Sequence, residues 1–528
     1  MTTELVTLTI DGATVSVPKG TTLIEAAKQA GVLIPHYCYH PSLPSPAVCR
    51  MCLVEVEKAP KLLPACVTTV AEGQVVQVHS AAAEKARESV LEFLLIHHPL
   101  DCPICDQAGE CELQDYVFQE GRSGTRYADY PKRFNPVEEF GPDVLYVPNR
   151  CILCTRCVRF MDSVAETPVL NVSERGDRAY IGIDPDHALD HPWAGNVVDL
   201  CPVGSLISKD FLHKARAWDL DKSPSVCPGC SQGCNIMIDT RDDVVVRLRP
   251  RPNLDVNRHF MCDHGRLDYR WMNRGDRVEA PLVREGKGGR LRATDWEDAL
   301  DQFATAIQEA GSGDVVLLAS ARAATESLGL LRRLAEAAGG TVSAAVHIPQ
   351  GDEHPLPGIP GLALRAERVP NALGARLAGY TDPWEGTLDR ATSASLVVVL
   401  DLDLPELLDR LATATGVVCV LDTIDREWPD TVRHVLPVST MAEEQGTWIN
   451  RDGRAQAYHP ARHAPGMARP AWWVAAEAWA RLAPGRQAEA TVDDAMASLG
   501  AVVPAVDGLT PSRLGLTGRL VADAGVHG

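Results

Sequence analysis

No run of apolar residues in this chain approaches the ~20 needed to span a bilayer, so no transmembrane helix is expected. Nor is there a basic surplus. The 51 Lys and Arg stand against 70 Asp and Glu, a net charge of −19, which argues against DNA, RNA or an anionic lipid surface as a main partner. The start, MTTELVTLTIDG, lacks the basic opening and apolar core of a signal peptide, so a soluble, cytosolic protein is expected. No GxGxxG or GxxxxGK[ST] fingerprint is present, so no nucleotide site is expected. Internal repeats and low-complexity tracts are missing too, from a length that accommodates roughly three to four domains. Past Cys262 cysteine itself becomes scarce, with Cys419 alone remaining.

That scarcity isolates the other fifteen of the sixteen cysteines between Cys38 and Cys262. Disulfide scaffolds are small and secreted, and reducing compartments keep thiols free, so metal ligation is the better reading of so many.

Between the cysteines the chain is patterned. Residues 5–10, LVTLTI, alternate apolar and polar, Asp11-Gly12 makes a turn, and VSV repeats the strand pattern. KGTTLIEAAKQAG predicts a helix capped near Thr21 or Thr22 and stopped at Gly31. Residues 82–96 predict an amphipathic helix that Pro99 must end. Residues 121–149, rich in Gly, Pro, Arg and Tyr, read as a connecting segment. After Arg274 the composition shifts to Ala, Leu and Val. There DVVLLAS (314–320), SLVVVLD (395–401) and GVVCVLD (416–422) are strands of the buried type, and helix-like stretches follow the first two. That alternation predicts an α/β domain with a parallel sheet.

Spacing sorts the fifteen cysteines into four sets. The first is Cys38, Cys49, Cys52 and Cys66; the second Cys102, Cys105 and Cys111. The third is Cys151, Cys154, Cys157 and, much later, Cys201 followed by Pro202; the fourth is Cys227, Cys230, Cys234 and Cys262. Thiolates suit zinc or iron–sulfur clusters. The third set, a tight C-x2-C-x2-C with a remote Cys-Pro, resembles half of a bacterial ferredoxin and reads as one 4Fe–4S cluster. The first resembles the plant-type 2Fe–2S pattern with a longer first gap, though zinc can use such spacings. The fourth fits either a zinc ribbon or a cubane. Cys419, inside the apolar run GVVCVLD, reads as a buried, inert thiol.

The second set, within HHPLDCPICDQAGEC (97–111), has three thiols where four ligands are usual. Imidazole replaces thiolate on cluster iron in Rieske centres. His98 precedes Pro99, which disfavours a helical conformation there and turns the side chain out of the helix. His98 is therefore the candidate fourth ligand in preference to His97, against the plainer readings of a capping or surface histidine.

With these motifs in order, including CILCTRCVRF and CPVGS, the chain resembles the large iron–sulfur (75-kDa-type) subunit of respiratory complex I, the NADH-quinone oxidoreductase of bacteria, over residues 1 to about 275. The resemblance implies one 2Fe–2S cluster on the first set and a 4Fe–4S cluster on His98 with the second. It implies further 4Fe–4S clusters on the third set and on the fourth, the last as in only some bacterial members. Downstream, MAEEQGTWINRDGRAQ (441–456) is similar to a motif of molybdopterin oxidoreductases. Only about 250 residues follow Arg274, and Cys419 is a poor molybdenum ligand, so a structural domain without molybdenum is expected.

The implied fold class is a multidomain mixture of α+β and α/β. A β-grasp 2Fe–2S ferredoxin-like domain (1–81) precedes a His-Cys 4Fe–4S domain (82–122) and a ferredoxin-like 4Fe–4S domain (123–222). A 4Fe–4S domain of molybdopterin-oxidoreductase type (223–278) and a shortened α/β domain (279–528) complete it. The implied function is electron relay within a proton-translocating NADH:quinone oxidoreductase. The implied partners are a flavoprotein that binds FMN and NADH and other peripheral-arm subunits, with no nucleic acid and no direct membrane insertion. The implied location is the cytoplasmic side of the bacterial plasma membrane. The main rival is the iron–sulfur/molybdopterin subunit of an NAD-dependent formate dehydrogenase. Such subunits usually carry two ferredoxin cubanes where one stands here, and a longer C-terminal half. A zinc scaffold is the rival outside enzymology.

Overall fold

A computed structural model describes residues 4–127, 135–286, 288–311 and 313–521; part of the connecting segment 121–149 lies outside them. The chain divides into two compact units, one reaching to Leu220 and including 356–360, the other formed by the remainder from Asp221.

The first unit begins with a mixed sheet. Strands β1 (Leu5–Ile10) and β2 (Ala13–Pro18) form a hairpin closed by two residues, Ile10 facing Ala13. Such a tight loop twists correctly only with left-handed central residues, and Asp11 and Gly12 supply φ of 44° and 84°. The alternation in β1 sends Val6, Leu8 and Ile10 inward. Helix α1 (Leu23–Gln29) buries Leu23, Ile24, Ala26 and Ala27 in the same core. Strands β3 (Leu53–Val56), β4 (Leu63–Pro64) and β5 (Val75–Gln77) complete the order β2-β1-β5-β3-β4, with β1 and β5 parallel.

Helix α2 (Ala81–Leu95) starts where the Ser80 hydroxyl accepts the Ala83 N–H at 3.2 Å. It buries Ala83, Arg87 and Leu91, one face at four-residue spacing. The buried Arg87 guanidinium meets Glu120 on α3 (Glu112–Glu120) at 2.7 Å, tying the two helices together. Helix α4 (Arg156–Ser163), with a short helix at Asn196–Leu200, closes the unit.

The second unit opens with an antiparallel sheet of Asp221–Val226, Asn235–Arg241 and Val244–Pro250. A seven-stranded sheet follows. Its five parallel strands lie in the order Val432–Pro437, Val417–Asp422, Leu396–Leu400, Val315–Ser320, Val342–His347. Leu282–Arg284 and Leu291–Ala293 add an antiparallel edge. Leu317, Val398 and Leu421 pack on one face with helices Trp296–Ala310 and Thr325–Ala337, while Val316, Val397 and Val420 pack on the other. Burial on both faces is why these strands read as unbroken apolar runs. Each such side chain contributes about 1.5–3 kcal/mol on burial.

Candidate metal centres

The first set hangs on the long loop between α1 and β3, with Cys66 just after β4. Ala47 and Arg50, at φ of 53° and 59°, curl that loop back on itself. The Cys38 N–H points at Cys49 Sγ, 3.5 Å away. The Cys66 sulfur meets those of Cys38 and Cys52, so the four thiols form one connected group. The hydrogen bond with Cys38 and then burial push the Cys49 thiol up.

The second set gathers at the end of α2. Cys102 opens a short turn, Cys102–Ile104, and Cys111 stands immediately before α3. A cavity of about 560 Å³ is lined by His98, Cys102, Cys105 and Cys111. His97 does not line it; its ring lies edge-on to Tyr127, centroids 6.3 Å apart. Burial raises the Cys105 thiol and takes Cys111 to about 11. From the other side comes Gly204, where a Cβ would fall 2.2 Å from Cys105 Sγ. The CPVGS stretch thus approaches as only a glycine backbone can.

The third set surrounds the start of α4. Leu153 and Thr155 are left-handed (φ 51° and 60°) and turn Cys151, Cys154 and Cys157 toward one side. Cys201, after the Asn196–Leu200 helix, joins them in a closed pocket under Tyr146. The Leu153 N–H points at Cys151 Sγ at 3.4 Å. Burial raises Cys151 and Cys201 to about 11 and Cys154 to about 12.

The fourth set lies in the second unit. Cys227 follows Asp221–Val226, Cys234 precedes Asn235–Arg241, and the two share a backbone bond of 2.8 Å. The Cys262 sulfur caps helix Asp263–Leu267, accepting the Gly265 N–H at 3.4 Å, and the Gly229 N–H points at Cys227 Sγ at 3.5 Å. A Cβ on Gly265 would lie 2.6 Å from Cys227 Sγ. All four thiols are buried, and burial takes Cys227 to about 12.

Three of the sets meet. Cys38, Cys111 and Cys154 belong to one packed core with Tyr37, Leu91, Tyr116 and Val203, and Cys49 and Cys201 pack against it. At least one donor from each of the first, second and third sets therefore takes part in the same packed core. Thiols raised this far stay protonated at neutral pH unless a cation stabilises the thiolate, so the donor chemistry fits a metal group that binds with release of protons. Donors of the second and third sets line cavities, and among the described residues no three His, Cys, Asp or Glu stand in the geometry of a single-ion site.

Cys419 stands apart. It is fully buried in Val417–Asp422 with its sulfur 3.2 Å from His434 Nδ1. Burial lowers His434 to about 4, so the imidazole is neutral. The crevice at the carboxyl ends of the parallel strands, lined by Ser320, Arg322, Asp401 and Thr423, includes no cysteine. Sequence reasoning did not find this crevice, although strand ends in a parallel sheet are where one forms. Tyr146 and Gly204 were missed too; neither carries a ligand spacing.

Comparison with known proteins places family matches on all four sets. A "2Fe-2S iron-sulfur cluster binding domain" matches residues 3–81, and an "NADH-ubiquinone oxidoreductase-G iron-sulfur binding region" matches 87–126. A "NADH-quinone oxidoreductase subunit 3, ferredoxin-like domain" matches 141–207, and a "Molybdopterin oxidoreductase Fe4S4 domain" matches 220–274. The chain is 38% identical over 335 residues to the NADH-quinone oxidoreductase G subunit of Rickettsia felis, covering 63% of this chain and 49% of that protein. It is 42% identical over 299 residues to the Streptomyces coelicolor protein of the same name, covering 56% and 35%. With the mitochondrial NADH-ubiquinone oxidoreductase 78 kDa subunit of Neurospora crassa it shares 42% over 349 residues, 66% of this chain and 46% of that one. The matches thus span about half, or less, of these relatives' lengths. A chain from the solved structure of an NAD+-reducing NiFe hydrogenase is 30% identical, covering 40% of this chain and 90% of that one, at a TM-score of 0.36.

Proposed function

We propose that this chain, a homologue of the large iron–sulfur subunit of NADH-quinone oxidoreductases, is the iron–sulfur electron-relay subunit of a complex of that kind. In this reading it takes electrons from a flavoprotein partner that oxidises NADH at FMN and relays them toward quinone. The observation that carries the reading is the shared core. Ligand sets meant for relay need to lie close together, and one or two donors of each of the first three sets share that core.

In this proposal Cys38, Cys49, Cys52 and Cys66 hold a 2Fe–2S cluster. Three 4Fe–4S clusters are held by His98 with Cys102, Cys105 and Cys111; by Cys151, Cys154, Cys157 and Cys201; and by Cys227, Cys230, Cys234 and Cys262. Bound clusters supply one-electron chemistry. The chain's own contribution is to give up thiol protons, exclude water and aim N–H groups at sulfur, as Leu153 and Gly265 do. His98 leaves its site one unit less negative than a fourth thiolate would, which favours reduction there.

In this reading five domains span 1–81, 82–122, 123–222, 223–278 and 279–528, and the last is structural, without molybdenum. No helix among the described residues is long and apolar enough to cross a membrane; we place the chain peripherally, on the cytoplasmic side, held by partner subunits. Leu100 and Phe118, 81% and 93% exposed, line the mouth of the His98 cavity. An apolar rim of this kind is what a neighbouring protein covers. The formate dehydrogenase reading is not favoured, since these relatives carry the name of an NADH-quinone oxidoreductase component.

Anaerobic purification followed by iron, sulfide, zinc and molybdenum analysis with low-temperature EPR tests the proposal. About fourteen iron atoms per chain are expected, from one 2Fe and three 4Fe groups. A colourless zinc protein, or stoichiometric molybdenum, overturns it.

A further inference from the structure

Helix α4 turns one arginine toward two ligand sets at once. Arg159 Nη2 donates to the Cys38 carbonyl at 2.5 Å and to the Cys154 carbonyl at 3.2 Å. Its Nη1 donates to the Pro44 carbonyl at 2.6 Å, and its Nε to Thr155 Oγ1 at 3.2 Å. Cys38 belongs to the first set, Cys154 to the third, and Pro44 to the loop between Cys38 and Cys49. One guanidinium therefore spans the backbones of both sites.

Its neighbours are occupied differently. Arg150 pairs with Asp101 at 2.7 Å, Arg156 with Glu112 at 3.0 Å and Arg87 with Glu120 at 2.7 Å. Among the described residues Arg159 makes no such ion pair; its partners are neutral carbonyls and a hydroxyl. The thiol groups it faces are Cys38 from the first set and Cys154 and Cys157 from the third, with the Arg156 cation beside them. A half-buried cation without a counter-carboxylate acts over several ångströms in a low-dielectric interior. It stabilises whichever redox state of a nearby group is more negative, which is the reduced one.

We propose that Arg159 is a positioning residue shared by the first and third sites: its charge raises the reduction potentials of both together, and its fork fixes the spacing of their backbones. The inference rests on the reading of those two sets as cluster ligands. A planar guanidinium can hold three carbonyls in a fixed fan, whereas a lysine ammonium is a point charge on a flexible stem.

The test uses the full chain, purified anaerobically, as wild type, Arg159→Gln, Arg159→Lys and Arg159→His, each titrated by EPR-monitored reduction alongside iron analysis. With iron content retained, Arg159→Gln is expected to lower the midpoints of the 2Fe–2S centre and the third-set centre in the same direction. The His98 centre is expected to move less. Arg159→Lys is expected to restore both midpoints toward wild type. If Arg159→Gln does not hold its iron, Arg159→His decides, because imidazole charge can be switched by lowering the pH in one sample. Both midpoints should then move together with pH where those of the wild type do not. A shift in one centre alone, in neither, or equally in all three overturns the inference. Absence of cluster signals from the wild type overturns the underlying assignment of the ligands instead.

Discussion

The ligand-loop core of the first unit and the large sheet of the second are filled by opposite means. In the first, the meeting point of the loops is a core built around Cys38, Cys111 and Cys154, whose surroundings are irregular chain more than strand or helix. In the second, the seven-stranded sheet buries Val, Leu and Ala on both faces, and the one cysteine in it, Cys419, meets the neutral His434 ring. Burial raises the Cys111 and Cys154 thiols of the first core, while the interior strand positions of the sheet are almost entirely apolar. On the proposed assignment, order in the ligand loops of the first unit is conditional on what their thiols bind, whereas order in the sheet is intrinsic to the chain.

Iron removal is the harshest way to break that comparison. Chelation under mild denaturant should expose amides of the ligand loops, residues 36–52, 65–66, 98–111, 151–157 and 201–205, to hydrogen exchange. The strands Val315–Ser320, Leu396–Leu400 and Val417–Asp422 should keep their protection. Equal loss in both units would erase the distinction.

A narrower test stays inside the first unit. His98→Ala should cost the second centre, about four iron atoms, while His97→Ala should leave the iron content unchanged, since His97 faces Tyr127. His98→Cys should retain a cluster and lower its midpoint potential, because a thiolate adds one negative charge. EPR-monitored titration reads the shift, and an upward one would count against the charge argument.

The smallest effect sharpens the comparison from the other side. Glu326, fully buried at the start of helix Thr325–Ala337, accepts the Thr447 N–H at 3.0 Å. Burial pushes its pKa from 4.5 up to about 7. A carboxyl raised on folding stabilises the protein below 4.5, and that contribution is lost as pH rises through about 7. Glu326→Gln should remove this pH dependence and stabilise the second unit at pH 8 by on the order of 3 kcal/mol. Urea denaturation at pH 5 and pH 8 measures it; an unchanged pH slope would mean that the carboxylate is satisfied some other way.

Much of the architecture was legible where local pattern and tertiary demand coincide. The β1–β2 hairpin, α1, α2 and the strands at 315–320, 396–400 and 417–422 follow from alternation, capping and apolar runs. Two parallel strands of the same sheet did not stand out. Val342–His347 is rich in small residues, and Val432–Pro437 carries Arg433 and His434. Their neighbours in the sheet, not their own pattern, hold them in place. Spacing likewise groups cysteines within a set but is silent on contacts between sets. Arg159 and Cys38 lie 121 residues apart, and nothing local in either announces the other.

Residues 201–205, CPVGS, give Cys201 to one site and at Gly204 make way for Cys105 of another. The Pro202 carbonyl also accepts the Glu112 N–H at 3.0 Å, anchoring the start of α3. In genetic terms this strip is pleiotropic. On the proposed assignment, a bulkier residue at Gly204 would press on Cys105 of one centre from the strip that carries Cys201 of another. Five residues thereby tie together two proposed centres whose other ligands come from separate stretches of the chain.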